Sequence, residues 1–286
     1  MACAVPAFVA VGCSAILLNW TPTVMPSLVF NSTAPPDAAE RQRLENTHPK
    51  DYQNPVPAST YNLVVIGGGT AGLVAAHGAA ALGAKVALVE RVMLGGDCLN
   101  VGCVPSKSII RTSRLYANMR EASQYGANAP DTLAIDFAAT MQRMRNIRAR
   151  VSNNDSVRRL TEAGVDVFLG QASFSGVNTI MVDDQLLQFK KALIAPEARP
   201  DPPNIPALAE AGYLTNETIF DLTGLPRRLL VIGGGPLGCV LAQAFCRFGS
   251  KTTMVQEWLL FLPKEERESS QFLSDSCANY GVDLRF

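Results

Sequence analysis

The chain has 286 residues, with 25 basic and 25 acidic side chains and so no net charge at neutral pH. Hydrophobic residues make up 48% and charged residues 17%, which excludes a disordered chain and gives no electrostatic pull toward nucleic acid. Seven cysteines are too few for a disulfide-built scaffold of this length, and with only His48 and His77 available no metal site is expected.

No charged residue precedes Asp37, residues 7–18 are nearly all apolar, and residues 24–30 continue the trend. A signal peptide or membrane anchor would need a basic n-region, which is missing. Asn19, Thr21, Pro22 and Pro26 also break the run before the roughly 20 apolar residues of a spanning helix. The favoured reading is an irregular extension with no part in the chemistry. Pro49, Pro55 and Pro57 then mark a linker, so residues 1–59 read as extension plus linker on a cytoplasmic chain. Membrane association through residues 7–30 is the alternative, with Arg41 and Arg43 keeping the rest of the chain in the cytoplasm.

An internal repeat follows. An apolar, β-branched run at 61–66 leads into Gly67, Gly68, Gly69, Thr70, Ala71 and Gly72, then an Ala-rich stretch, Gly83, and a second apolar run ending in Glu90. A shift of 166 residues lays this on 228–256 without a gap, with Gly233, Gly235 and Gly238 in the glycine positions. Strand, glycine turn, helix, strand is the order of a dinucleotide-binding unit. The first glycine makes the tight turn, the second admits a pyrophosphate, and the third lets helix and strand pack closely. The acid at the end of the second strand suits a ribose hydroxyl.

Between the copies, residues 95–107 read Gly-Gly-Asp-Cys-Leu-Asn-Val-Gly-Cys-Val-Pro-Ser-Lys, and a helix is predicted over 104–119. Pro105 suits its first turn. Cys103 then sits at the positive end of the helix dipole, which favours a thiolate. Only four residues separate Cys98 from Cys103, so a disulfide between them would close too short a loop to add much stability. Two buried free thiols are one reading. The position directly after a dinucleotide unit favours redox exchange.

These residues resemble the pyridine nucleotide–disulfide oxidoreductases, a flavoprotein family that includes mercuric reductase, dihydrolipoamide dehydrogenase and glutathione reductase. Residues 95–107 are similar to its redox-active disulfide signature, in a form most like the mercuric reductase branch, and the likeness runs from about Tyr61 to the last residue. The resemblance implies a doubly wound α/β fold of Rossmann-like, glutathione reductase-like domains. An FAD-binding domain would span 60–205 and a partial NAD(P)-binding domain 206–286, with the C-terminal dimerisation domain absent. FAD would lie on Gly67, Gly69, Thr70, Ala71, Gly72, Glu90, Gly96 and Asp97. NAD(P)H would lie on Gly233, Gly235, Gly238 and Glu257. A hydride would pass from nicotinamide to flavin, and an electron pair from there to a Cys98–Cys103 disulfide. Cys103 would face the flavin, Cys98 would exchange with a small-molecule or disulfide substrate, and Lys107 would stand near the reacting edge of the flavin. Family members are homodimers.

The chain departs from the family pattern in four places. It stops within the second nucleotide domain. Ala195, Pro196 and Glu197 replace Ala-Thr-Gly, and a bulky acid there is expected to weaken FAD binding. Val240 replaces a glutamate that pairs with the lysine, so Lys107 is expected to lose its counter-ion and, as an unpaired buried ammonium, to be neutral or displaced. Gln256 stands where Glu90 stands in the first copy, with Glu257 next, which leans slightly to NADH. A truncated remnant without turnover is therefore the alternative function.

Elsewhere, Arg143, Arg145, Arg148, Arg150, Arg158 and Arg159 read as a solvated helix face. Residues 165–195 read as short strands with a turn at Asp183 and Asp184, and residues 196–206 as a connection. Residues 265–280 are predicted helical and 282–286 extended. Cys239, Cys246 and Cys277 read as packed thiols.

Overall fold

The computed structural model describes residues 7–10, 37–128, 133–201, 203–258 and 261–286. In chain order the elements are β1 (Ala7–Ala10), α1 (Ala38–Thr47), β2 (Tyr61–Ile66), α2 (Thr70–Ala81), β3 (Val86–Glu90), α3 (Gly96–Asn100) and α4 (Cys103–Arg120). Then come α5 (Phe137–Ser152), α6 (Val157–Glu162), β4 (Val165–Leu169), β5 (Ala172–Gly176), β6 (Thr179–Val182) and β7 (Gln185–Ile194). The last are α7 (Leu208–Ala211), β8 (Arg228–Ile232), α8 (Pro236–Arg247), β9 (Lys251–Val255), α9 (Arg267–Asn279) and β10 (Asp283–Arg285).

The chain divides into two compact units. One comprises Pro22–Pro105 and Arg145–Ala198. Its sheet runs β4-β3-β2-β7-β6-β5. The apolar runs of β2 and β3 occupy the middle because both faces are covered, as parallel strands require. Val65 pairs with Leu88 on one side and Leu193 on the other. Val65, Leu73, Leu88, Leu94, Leu160 and Val167 pack on one face, and Val64, Ala87, Phe168, Ile180 and Leu187 on the other. β5, β6 and β7 form an antiparallel meander, and the predicted turn at Asp183 and Asp184 joins β6 to β7. Asp183 adopts φ +52°, as a two-residue hairpin loop requires.

The second unit comprises Met1–Thr21, Ser106–Met144 and Arg199–Phe286. Its sheet, β1-β8-β9-β10, is parallel throughout. Ile109, Phe137 and Met141 join Phe245, Phe248 and Met254 in its core. Ser106–Met144 therefore groups with the second nucleotide unit, although the motif order puts this stretch in the first. Burial raises the thiols of Cys239, Cys246 and Cys277, with Cys239 at about 12, consistent with packed thiols.

Three further expectations change. Residues 38–47, read as extension and linker, form a helix with Glu40, Arg43 and Thr47 buried. Residues 7–10 form an edge strand beside β8, while residues 11–30, the rest of the proposed anchor, lie outside the described residues. Arg145 and Arg148 are buried rather than solvated, because each has an acidic partner about a hundred residues away. Among the described residues no helix is long and apolar enough to cross a membrane.

Candidate functional site

The first site element is the turn between β2 and α2. Gly67 has φ +108°, and its N–H donates to Val89 O at 2.8 Å, which holds the turn against the end of β3. A Cβ on Gly72 would strike the Gly67 carbonyl, so helix and strand pack as closely as the glycine spacing implies. Glu90 closes the unit. Its Oε2 accepts from Gly68 N and its Oε1 from Val92 N, both at 2.6 Å. The carboxylate expected at a ribose therefore also pins the glycine turn. Thr70 and Ala71 are exposed at the start of α2.

The cysteine segment is tied to this turn by Gly95, whose N–H donates to Gly68 O at 2.8 Å. Gly95 and Gly96 both take positive φ, which lets the chain reverse into α3. Cys98 is half-buried on α3, and Cys103 is the exposed first residue of α4, with Pro105 in the same first turn. Burial, then the neighbouring Cys103, push the Cys98 thiol above its ordinary pKa; Thr70 offsets part of that. Cys98 thus has both Cys103 and Thr70, the first residue of α2, as electrostatic neighbours. No disulfide joins Cys98 and Cys103 in this structure.

Lys107 lies one turn beyond Cys103 on α4 and is exposed. The premise of a buried ammonium without a counter-ion therefore falls away: water solvates the charge that Val240 cannot pair. Val240 itself packs on the core of its unit.

Glu197 stands over the first turn. The Asp97 N–H donates to its carboxylate, and a Cβ on either Gly69 or Gly96 would run into that same carboxylate. The acid thus lies between the starts of α2 and α3, among backbone N–H groups that favour an anion.

The second copy repeats the geometry. Gly233 has φ +105°, and a Cβ on Gly238 would strike the Gly233 carbonyl. Gly234 N donates to Gln256 Oε1 at 2.6 Å, the counterpart of the bond from Gly68 to Glu90. Gln256 rather than Glu257 occupies the corresponding place, and Glu257 is exposed. The Phe261 ring lies against Gly234, while Gly235 has open space beside it.

A family model described as pyridine nucleotide-disulphide oxidoreductase matches residues 61–286. This chain belongs to that family. It is 33% identical over 224 residues to a mercuric reductase of Bacillus cereus, covering 78% of this chain and 35% of that protein. It is 30% identical over 228 residues to a dihydrolipoyl dehydrogenase of Acholeplasma laidlawii, covering 78% of this chain and 68% of that one. Among solved structures it resembles the HOCl-induced flavoprotein disulfide reductase RclA from Escherichia coli. That match has a TM-score of 0.67 and 29% identity, and covers 78% of this chain and 48% of that one. The chain spans less than half the length of the mercuric reductases it matches. Its mixed α/β fold with mainly parallel sheets is that of the flavoprotein disulfide reductases.

The family uses FAD and NAD(P)H. The first glycine turn fits a dinucleotide, because the ground above Gly69 and Gly96 carries no Cβ and faces backbone N–H groups. The side chain in that ground, Glu197, is exposed. Sequence reasoning missed Arg43 and Glu40, whose contacts reach Asn100 in the cysteine segment. No motif marks them.

Proposed function

We propose that this chain is the cofactor-binding and dithiol portion of an NAD(P)H-dependent flavin disulfide oxidoreductase. FAD, when bound, supplies the acceptor for a nicotinamide hydride and passes an electron pair on. Gly67, Gly69 and Gly72 would hold its diphosphate, with Thr70 and Ala71 at the helix start, Glu90 at the ribose, and Gly96 and Asp97 closing the other side. Gly233, Gly235 and Gly238 would take NAD(P)H, with Gln256 or Glu257 at the ribose. Cys103, at a helix N-terminus, would be the thiol on the flavin side, and Cys98 would exchange with substrate. The pair gains two electrons and two protons on passing from disulfide to dithiol, and returns them to a small-molecule or disulfide substrate. Lys107 would place a positive charge one turn from Cys103. A homodimer of the whole protein and a cytoplasmic location complete the reading.

The observation that carries this proposal is the bond from Gly95 N to Gly68 O at 2.8 Å, which ties the segment bearing Cys98 and Cys103 to the fingerprint turn. The test is anaerobic addition of NADH or NADPH to the FAD-loaded chain, followed by flavin absorbance near its visible maximum. Bleaching by either nucleotide supports the proposal; a colour that persists with excess of both contradicts it. The Glu197 carboxylate in the diphosphate ground favours a second reading, a family remnant that binds FAD weakly and does not turn over. Failure to retain FAD would support that one.

A further inference from the structure

Helix α1 lies outside the stretch that the family model matches, yet its polar face reaches the cysteine segment. Arg43 is 1% exposed. Its Nη1 donates to Asn100 Oδ1 at 2.6 Å and lies 3.0 Å from Met93 Sδ. Asn100 is the last residue of α3, two residues beyond Cys98. Its Nδ2 donates to Leu94 O at 3.1 Å and Gly96 O at 2.9 Å. Its backbone carbonyl accepts from Arg148 Nη1 at 2.9 Å. A third tie runs along the backbone, from Leu94 N to Thr47 O at 3.1 Å.

The two arginines are held in turn by one acid. Glu40 Oε1 pairs with Arg43 Nη2, and Oε2 accepts from Arg43 Nε and Arg148 Nη2, each at 3.1 Å. Burial alone would raise the Glu40 carboxyl, but hydrogen bonds and charge from Arg43 and Arg148 outweigh it and hold the pKa below the ordinary value. Asp37 caps α1 by accepting from Glu40 N at 2.8 Å and binds Arg145 Nε at 2.6 Å. A charged network buried this deeply fixes geometry more than it adds stability, because desolvation offsets much of the attraction.

We infer that Arg43 is a positioning residue for Cys98, acting through Asn100, and that α1 is therefore a working part of the dithiol site. This rests on the reading of Cys98 and Cys103 as the reactive pair. With positive φ at Gly95 and Gly96 and only five residues, α3 is a single helical turn and weakly self-supported. The Arg43–Asn100 bond supplies from behind the restraint that five residues cannot supply themselves. It keeps Cys98 half-buried on α3.

The test is site-resolved alkylation of the reduced full chain with iodoacetamide, read by peptide mass spectrometry. Arg43→Met keeps the Glu40–Arg148 pair and removes the bond to Asn100. Labelling of Cys98 should rise roughly three- to tenfold, as a thiol released from burial gains thiolate, while Cys103 stays within about twofold. Arg43→Lys, which retains one donor for Asn100, should bring Cys98 back toward the wild-type rate. A folded Arg43→Met chain with an unchanged Cys98-to-Cys103 ratio overturns the inference. Should that variant fail to fold, hydrogen exchange on the wild-type chain decides. The amides of Leu94, Leu99 and Val101 should then exchange together with those of α1, and rates more than about tenfold apart overturn the clamp. Labelling needs neither flavin nor turnover. A chain that never reduces flavin but shows the labelling change would sink the oxidoreductase reading and leave only the positioning of Cys98 by Arg43.

Discussion

The Asp97 N–H donates to the carboxylate of Glu197, so an acid of the chain's own lies on the ground that the fingerprint glycines leave open. On the proposed reading, a diphosphate would compete with this carboxylate for the Asp97 N–H. Glu197→Gly should therefore raise FAD affinity roughly tenfold, and Glu197→Gln by less, since the amide keeps the bulk and loses the charge. Quenching of flavin fluorescence on titration reads both. Equal affinity in all three chains would mean that the side chain swings out at no cost.

Packing at the turn predicts a loss. Gly72→Ala places a methyl against the Gly67 carbonyl, where only backbone movement gives relief. Urea unfolding should show a loss of about 1–3 kcal/mol, together with a loss of FAD binding. Gly78→Ala on the exposed side of the same helix meets nothing and should cost nothing. A Gly72 variant as stable as wild type would contradict the close packing.

Acid should act through Glu40. Its folded pKa lies below the model-compound value of 4.5, so its contribution is present above about that pH and is lost as pH falls through the folded pKa. Urea midpoints measured from pH 7 down to 3 should fall on the acid side, and less steeply in Glu40→Gln. That variant should also lose about 3–5 kcal/mol at neutral pH, because two buried arginines lose their acid. An acid limb of the same slope in both chains would assign the loss to other carboxylates.

The two thiols should differ in reactivity. Cys98 is half-buried with a raised pKa, whereas Cys103 is exposed. At neutral pH iodoacetamide should label Cys103 first, and the Cys98 rate should keep climbing above the ordinary thiol range. Preferential labelling of Cys98 at neutral pH would contradict its burial beside an exposed Cys103.

The glycine turns were readable in the sequence because their chemistry is local. Spacing alone placed Gly67, Gly72 and Glu90, and the shift of 166 residues placed Gly233, Gly238 and Gln256. The matching bonds from Gly68 to Glu90 and from Gly234 to Gln256 are the structural form of that repeat. Helix α1 was not readable, because its buried face is polar. Glu40, Arg43 and Thr47 carry no apolar stripe, and the long-range partners of Arg43 and Glu40 are 50 to 108 residues away in sequence. Arg145 and Arg148 were misread as solvated for the same reason. The sequence marked Glu197 as foreign to the family pattern. Its place between α2 and α3 depends on where β7 delivers the chain, which no local pattern records.

The central claim is that one chain joins a flavin site to a redox-active cysteine pair. Anaerobic dithionite titration of the FAD-loaded chain, followed at the flavin maximum, tests it most directly. The account predicts uptake of about two electron pairs per chain, one for the flavin and one for the Cys98–Cys103 disulfide, falling to about one in Cys103→Ser. Uptake of a single pair by the wild-type chain, with both cysteines shown to be oxidised at the start, would contradict it.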